Sequence, residues 1–186
     1  MEDNKKEASF IKSLITDIAI AAVLAGAVLF FIRPTIVKQT SMLETLQPND
    51  YLIMYKRAYA GDKTPQRGDI VIFESNLINE ENGKDKLLIK RVIGLPGDEI
   101  AIKNDQLYLN GEAFIEDYLP DGITPVGDIP REGETFTVPE DQYYCLGDNR
   151  VVSIDSRSSE VGCVTEEQIV GKAVIRLFPF NKIKTL

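Results

Sequence analysis

The stretch DKLLIKRVIGLPGDE, which runs from Asp85 to Glu99, predicts a β-strand that ends in a tight turn. Its first part is rich in Leu, Ile and Val, and the Leu-Pro-Gly-Asp sequence that follows is typical of a turn. Side chains alternate between the two faces of a strand, so Lys90 shares a face with Leu88 and Val92. The sequence therefore places an ammonium group on an otherwise apolar face.

Two interpretations of Lys90 are open at this point. A lysine commonly lays its four-carbon stem along apolar surface and keeps its charge in water. Alternatively, burial favours loss of the proton, and the neutral amine can then act as a base. The spacing alone favours the first interpretation, so the choice depends on the rest of the chain.

The composition limits the chemistry available to this 186-residue chain. The absence of histidine excludes Ser-His-Asp triads, Cys-His dyads and zinc sites that contain histidine. A nucleophile would therefore need a lysine, a carboxylate or the N-terminal amine as its base. The net charge of −8 argues against a nucleic-acid-binding protein, and we expect no metal or other cofactor.

The two cysteines, Cys145 and Cys163, are too few for a metal cluster. Neither would have an imidazole to activate it as a nucleophile. A disulfide between them is possible in an oxidising compartment, but the sequence favours two small, buried thiols.

The apolar run LITDIAIAAVLAGAVLFFI, from Leu14 to Ile32, predicts a membrane-spanning helix. Such a helix would be about 28 Å long, close to the hydrocarbon thickness of a bilayer. A buried helix in a soluble domain would be shorter, and the FFIRP ending lacks the small residues of a signal-peptide cleavage site. We expect a tail at residues 1–13, an anchor at 14–33 and a large domain at 34–186.

The charges that flank the apolar run predict its orientation. Lys5, Lys6 and Lys12 precede the run, whereas Arg33 and Lys38 follow it. This small excess of positive charge predicts a cytoplasmic N-terminus and an extracytoplasmic domain. The protein would then be a single-pass protein of the cell membrane.

Beyond the anchor, apolar and alternating segments predict a mainly β fold. The Asn104-Asp105 and Asn110-Gly111 pairs are typical of hairpin turns. The predicted strands lie within residues 50–57, 68–74, 85–94, 98–114, 134–140, 141–148 and 169–180. We expect antiparallel sheets or a partial barrel.

Three further segments predict local structure. Thr165 would cap a short helical turn in TEEQIVG. Residues 76–86 are polar, and residues 115–133 carry prolines with little periodicity, so both segments are predicted loops. The prolines are Pro120, Pro125 and Pro130.

A lysine base requires a hydroxyl partner, and Ser41 is the candidate closest to the apolar run. It lies nine residues after that run, at most about 30 Å of extended chain. The neighbouring Met42, Leu43 and Leu46 could contact the membrane surface. Taken alone, however, Ser41 is better interpreted as a strand-edge serine with core neighbours. The other candidates are Ser75, Ser153, Ser156, Ser158 and Ser159.

The segment LGDNRVVSIDSR, residues 146–157, contains a predicted turn followed by alternating polar residues. If the segment is extended, Ser153, Asp155 and Arg157 share one face. One interpretation is an ion pair between Asp155 and Arg157 that fixes a loop. The other is that Ser153 hydrogen-bonds the Lys90 amine and orients it.

Four segments together resemble the successive sequence boxes of the bacterial type I signal peptidases. They are TSMLETL, RGDIVIFE, KRVIGLPGD and GDNRVVSIDSR, and they occur in the family's order after a membrane anchor. The resemblance extends over nearly all of the chain after residue 14. It implies a signal-peptidase fold and a serine endopeptidase; the endoplasmic-reticulum type differs in using His in place of the Lys.

The resemblance also implies a role for each site residue. Ser41 would be the nucleophile, and its backbone N–H would serve the oxyanion hole. Lys90 would be the general base, oriented by Ser153. The supporting residues would be Asp155 and Arg157 as structural braces, and Asp148 and Asn149 as shapers of the loop.

The implied substrates are secreted preproteins, which would be cut after small residues as they emerge from the secretion channel. The other implied partner is the lipid bilayer. The chain departs from the family pattern at Gln39, Glu44, Val151 and Val152. These departures leave Ser41 and Lys90 unchanged. They could alter the oxyanion contacts and the substrate preference, as expected of an enzyme dedicated to a few substrates rather than a housekeeping enzyme.

Two other functions stay open. A Ser-Lys self-cleaving protease of the repressor type would have a similar fold, but the anchor and the GDNR sequence argue against it. A non-catalytic relative that assembles surface proteins such as pili would not need Ser41 or Lys90, and both are present.

Overall fold

The structure, a computed structural model, describes residues 2–80, 83–119 and 122–186, with side-chain burial from Phe10 onward. Pro120, one of the prolines of the predicted loop, lies outside the described residues. A long helix, α1 (Glu2–Phe31), precedes a domain of two antiparallel sheets. The prediction of a mainly β fold with one N-terminal apolar helix is confirmed.

Helix α1 includes a segment, Phe10–Phe31, that is long and apolar enough to cross a bilayer. Its mean hydropathy is 2.4, and none of it is buried against the rest of the protein. The helix differs from the predicted anchor at both ends. It begins at Glu2 within the predicted tail, and it stops before Ile32 and Arg33, which pair with Tyr55 and Met54 in a sheet.

The end of α1 is bonded directly to the β domain. The Lys56 N–H donates to the Phe31 carbonyl at 2.9 Å, and Lys56 Nζ donates to the Leu29 carbonyl at 2.7 Å. These bonds satisfy carbonyl groups that a helix C-terminus leaves without partners. Pro34 cannot continue a helix, so the chain passes straight from α1 into the first strand.

The described residues form twelve strands in two sheets, and the ladders within both sheets are antiparallel. The strands are β1 (Ile32–Ile36), β2 (Tyr51–Tyr55), β3 (Ile70–Ile78), β4 (Asp85–Gly94), β5 (Glu99–Lys103), β6 (Gln106–Leu109), β7 (Glu112–Ala113), β8 (Thr135–Thr137), β9 (Gln142–Leu146), β10 (Val164–Thr165), β11 (Ile169–Phe178) and β12 (Lys184–Thr185). The larger sheet has the order β1-β2-β11-β3-β4-β9-β10, with β12 on β11, and the smaller has the order β7-β6-β5-β8.

The predicted turns are confirmed, but one predicted loop is shorter than expected. Asn104, Asp105 and Asn110 have positive φ angles, as tight hairpins require. Residues 76–86 were predicted as a loop, yet β3 continues to Ile78 and pairs there with Asp85. Backbone pairing across this hairpin overrides the polar composition of the segment.

Two short 3₁₀ helices, Glu166–Gln168 and Phe180–Lys182, complete the described elements. The first follows Thr165, at the helical turn predicted there, and the Thr165 N–H donates to the Gln168 side chain at 2.9 Å. The described part of the predicted loop at 115–133 contains no helix or strand.

The residues that follow Ser41 anchor it in the core. Met42 and Leu46 are 1% and 0% exposed and pack with Val37 and residues of β2 and β3. The suggestion that they contact the membrane surface is therefore wrong, because the turn after Ser41 points them inward. Leu43 is half-buried.

Both cysteines are free thiols. Cys145 is buried in the core that β3, β4 and β9 share, and Cys163 is half-buried against the core of the smaller sheet. Burial raises the pKa of the Cys145 thiol, and it raises that of Cys163 to about 12. Neither is therefore a reactive thiolate near neutral pH.

Candidate active site

Lys90 is buried on strand β4 and contacts Ser41. It is 1% exposed and shares its face with Leu88 and Val92, as the alternation predicted. Lys90 Nζ donates to Ser41 Oγ at 2.6 Å. The structure thus brings together two residues that lie 49 positions apart in the sequence.

Burial changes the acid–base behaviour of this lysine. Removal of its ammonium from water lowers the pKa of Lys90 from 10.5 to about 8. The nearby Asp155 carboxylate acts against this effect, while the Arg157 guanidinium adds to it. With a pKa of about 8, part of the Lys90 population is neutral near neutral pH and can accept a proton.

Ser41 opens a tight turn whose backbone is held from two sides. On one side, the Leu46 N–H donates to the Met42 carbonyl at 2.7 Å. On the other side, Asn149 donates its backbone N–H to the Ser41 carbonyl at 3.0 Å and its side-chain amide to the Thr40 carbonyl at 3.2 Å. Within the described ranges, no group accepts a hydrogen bond from the Ser41 N–H.

Gly147 allows the loop that carries Asn149 to approach Ser41 closely. A Cβ atom at this position would overlap the Ser41 carbonyl and the Ser153 hydroxyl. The Gly147 N–H donates to the Asp155 carboxylate at 3.0 Å. Any larger residue at position 147 would push the loop away from Ser41.

Ser153 lies beside this contact, but its geometry differs from the prediction. Its N–H donates to the Asn149 carbonyl at 3.1 Å, which places it in a turn rather than in an extended segment. The predicted hydrogen bond to Lys90 is not formed. Among the residues that the structure describes, the buried Ser153 hydroxyl makes no hydrogen bond of normal geometry, but it lies close enough to the Asp155 carboxylate to help lower its pKa.

Asp155 and Arg157 form the ion pair that one interpretation of the segment proposed. Arg157 donates Nε and Nη2 to the carboxylate, both at 2.9 Å. Burial alone would raise the pKa of Asp155, but Arg157, the Ser153 hydroxyl and the Gly147 N–H hold it below its usual range. Arg157 also donates to the Pro125 and Arg150 carbonyls, so the pair joins the site loop to residues 115–133.

Asp148 is bound by Arg91, a residue that the sequence analysis overlooked. Arg91 donates Nε and Nη2 to the two carboxylate oxygens at 2.9 and 2.6 Å. Its guanidinium also lies 4.0 Å from the centre of the Tyr118 ring. Arg91 directly follows Lys90 on β4, so its side chain lies on the opposite face of the strand. Its position next to Lys90 was the one signal in the sequence that pointed to a role at the site.

A second ion pair, between Arg150 and Glu116, was also missed. Both side chains are almost fully buried, at 1% and 2% exposure. Arg150 donates to the two Glu116 carboxylate oxygens at 2.5 and 2.8 Å, to the Thr124 hydroxyl at 2.6 Å and to the Gly147 carbonyl at 2.9 Å. Arg150 belongs to the GDNR sequence, but nothing in the sequence pairs it with Glu116.

A groove of about 1290 Å³ leads to Ser41. One wall is the chain from Arg33 to Met42, and the other is formed by the ends of β3 and β4 around Ile78 and Leu87. Apolar side chains near Ser41 line its floor: Val37, Ile72, Ile89 and Val170. The described residues contain no group of His, Cys, Asp and Glu that could hold a metal ion.

A serine and a buried lysine beside an open groove define the chain as a candidate serine hydrolase, and comparisons with known proteins identify its family. The family model described as signal peptidase, peptidase S26, matches residues 8–178. The chain therefore belongs to the signal peptidase family and is a serine peptidase. The resemblance drawn from the four sequence segments is confirmed.

Individual relatives align over almost their full length. Signal peptidase I of Bacillus licheniformis is 34% identical over 97% of this chain and 95% of its own. Signal peptidase I P of Bacillus subtilis subsp. natto is 37% identical over 98% and 97%. Signal peptidase IB of Staphylococcus aureus strain COL is 36% identical over 91% of each. A crystal structure of a signal peptidase I from Enterococcus faecalis V583 covers 61% of this chain and 100% of its own, with 36% identity and a TM-score of 0.44.

The lowered pKa of Lys90 predicts that Lys90→Met stabilises the fold below pH 8. The pKa falls from 10.5 to about 8 on folding, so the unfolded chain binds the proton more tightly. The wild type should therefore be destabilised by about 3 kcal/mol below pH 8, and this penalty should disappear as the pH rises towards 10.5. Unfolding of both proteins between pH 6 and 10 measures the difference; equal stability at pH 6 would contradict it.

The buried pair of Arg150 and Glu116 predicts a large effect of Glu116→Ala. The substitution leaves a buried guanidinium without its carboxylate, so we expect a loss of about 3–5 kcal/mol in the free energy of unfolding. Urea denaturation of the full chain in detergent measures it. The control is Glu112→Ala at an exposed site, which should change stability by at most about 0.5 kcal/mol. A similar small effect of Glu116→Ala would mean that the pair is dispensable.

Proposed function

We propose that this protein removes N-terminal signal peptides from exported preproteins, with Ser41 as the nucleophile and Lys90 as its general base. The observation that carries the proposal is the 2.6 Å contact between Lys90 Nζ and Ser41 Oγ in a buried setting. A serine hydroxyl is a weak nucleophile, and a neutral amine within hydrogen-bond distance can activate it.

The reaction follows from these two side chains. Neutral Lys90 takes the proton of Ser41 Oγ as the oxygen attacks the scissile carbonyl carbon. The resulting oxyanion is placed to accept a hydrogen bond from the uncommitted Ser41 N–H. The Lys90 ammonium then gives its proton to the leaving amine, and the C–N bond breaks to leave an acyl ester on Ser41.

Hydrolysis of the ester completes the cycle. Lys90, again neutral, takes a proton from a water molecule that attacks the ester carbonyl. Collapse of the second tetrahedral intermediate breaks the bond to Ser41 Oγ, which recovers its proton from Lys90. The products are the mature protein, with a new N-terminus, and the free signal peptide.

The groove beside Ser41 suits an extended signal peptide. Its lining includes the apolar side chains Val37 and Ile72, and it runs between the chain from Arg33 to Met42 and the strand ends around Ile78 and Leu87. We therefore assign the groove to the residues that precede the cut.

Cleavage assays with the purified full chain test the two catalytic roles. Lys90→Arg keeps a permanent positive charge and cannot accept a proton, so its rate should fall at least about a thousandfold, as should that of Lys90→Met. Ser41→Ala should be inactive, and the exposed Lys103→Arg should behave as the wild type. Wild-type kcat/KM should rise with pH, reach half of its maximum near pH 8 and level off above it, as the Lys90 amine loses its proton.

The same assay can reject the proposal. If a folded Lys90→Arg protein cleaved near the normal rate, Lys90 would not be the general base. It would then only lay its stem along the apolar face of the strand. Equal rates for substrates with Ala and with Phe immediately before the cut would contradict signal-peptide processing. Both substrates should otherwise be identical.

We also propose that residues 14–31 anchor the protein in the cell membrane, with residues 1–13 in the cytoplasm and residues 34–186 outside. The uncovered apolar helix supports the anchor. The Arg57 guanidinium over the Phe30 ring, at 4.7 Å, suits a position where the helix leaves the hydrocarbon.

Protease treatment of wall-stripped cells tests this orientation. We expect a protease added outside to digest the domain after Pro34 and to leave an epitope on the N-terminal tail intact, because the excess of positive charge precedes the apolar run that starts at Leu14. Detergent lysis provides the control, since it should expose the tail as well. Protection of the domain together with digestion of the tail would reverse the orientation.

A further inference from the structure

The turn that follows Asn149 presents two adjacent valines to solvent next to Ser41. Val151 is 76% exposed and Val152 is 56% exposed. Single exposed valines are common on protein surfaces, but an apolar pair at the tip of an active-site turn is a candidate contact surface. We call these two residues the valine corner.

Two backbone hydrogen bonds link the valine corner to Ser41 through Asn149. The Val152 N–H donates to the Asn149 carbonyl at 3.3 Å, which closes a turn with Arg150 and Val151 at its centre. Asn149 in turn donates to the Ser41 carbonyl at 3.0 Å. Since the Arg150 side chain points inward to Glu116, the neighbouring Val151 points outward.

The groove gives the direction in which a substrate would pass this corner. The groove lining begins at Arg33, two residues after the end of α1, and continues along the chain to Ser41 and Met42. A signal peptide that leaves the membrane beside α1 therefore reaches Ser41 last. No residue of the loop from Gly147 to Arg157 lines the groove.

The substrate residues after the scissile bond must then leave on the far side of Ser41, where Asn149 contacts it. Two or three extended residues cover about 7–10 Å, enough to reach a side chain two or three positions beyond Asn149. The bilayer is a weaker candidate for this contact, because the membrane end of the groove lies at Arg33.

We propose that Val151 and Val152 bind the first residues after the cut and select substrates with apolar side chains there. This inference rests on the proposed function. The contact removes apolar surface of both partners from water, so it favours Val over Ser or Asp at the second residue after the cut. It is a specificity contact and takes no part in proton transfer.

The experiment compares three peptides that differ only at the second residue after the cut, which is Val, Ser or Asp. The full chain in detergent should cleave the Val peptide with a kcat/KM about tenfold above the other two. In Val151→Ser/Val152→Ser this ratio should fall to about two or less. Val151→Thr/Val152→Thr keeps the side-chain shape and should also lower the ratio. Phe180→Ser, at a 72% exposed apolar site outside the groove lining, should retain it.

Each other outcome overturns the inference in a distinguishable way. If the wild type cleaves all three peptides equally, the selection is absent but the proposed function stands. If the double variants lose rate on all peptides with an unchanged ratio, the corner only shapes the loop. If the loss is seen only in phosphatidylglycerol–phosphatidylethanolamine vesicles and is equal for all peptides, the corner contacts lipid. If the wild type cleaves none, the proposed function fails and the inference with it.

Discussion

The active-site region depends on one constraint, which is the burial of the Lys90 amine against an apolar face. A lysine in water keeps its proton at neutral pH and cannot serve as a base. Burial on β4 lowers its pKa to about 8 and places Nζ at 2.6 Å from Ser41 Oγ. The same burial destabilises the fold at neutral pH, so the rest of the core must offset it.

The charged residues around Lys90 are arranged in pairs. The Asp155 carboxylate alone would raise the pKa of Lys90. Arg157 forms an ion pair with Asp155, and its positive charge lowers the Lys90 pKa. Arg91 neutralises Asp148 in the same way. Paired charges have short-range fields, so the site can contain four ionised side chains while desolvation still dominates the behaviour of the lysine.

Much of the fold could be predicted from the sequence, because alternation and turn residues are local signals. The place of Lys90 on an apolar strand face and the hairpin at Asn104 follow from such signals. The burial of the Lys90 amine does not, because the spacing alone favours a lysine stem that keeps its charge in water. The partner of Arg150 could not be predicted, since Glu116 lies 34 residues away in a segment without periodicity. The prediction for Ser153 was wrong for a related reason. It assumed an extended segment, whereas the Ser153 N–H bonds to the Asn149 carbonyl and closes a turn.

The junction between α1 and β1 places the groove next to the end of the apolar helix. No loop separates them, and the Lys56 N–H bonds to the last carbonyl of the helix, so the groove wall from Arg33 to Ser41 starts where the helix ends. A flexible linker would let Ser41 sample many distances from the bilayer. A direct junction limits that distance to the reach of the segment from Ile32 to Ser41, at most about 30 Å. A substrate whose own helix lies in the same membrane would therefore meet Ser41 at a nearly constant spacing from its apolar segment.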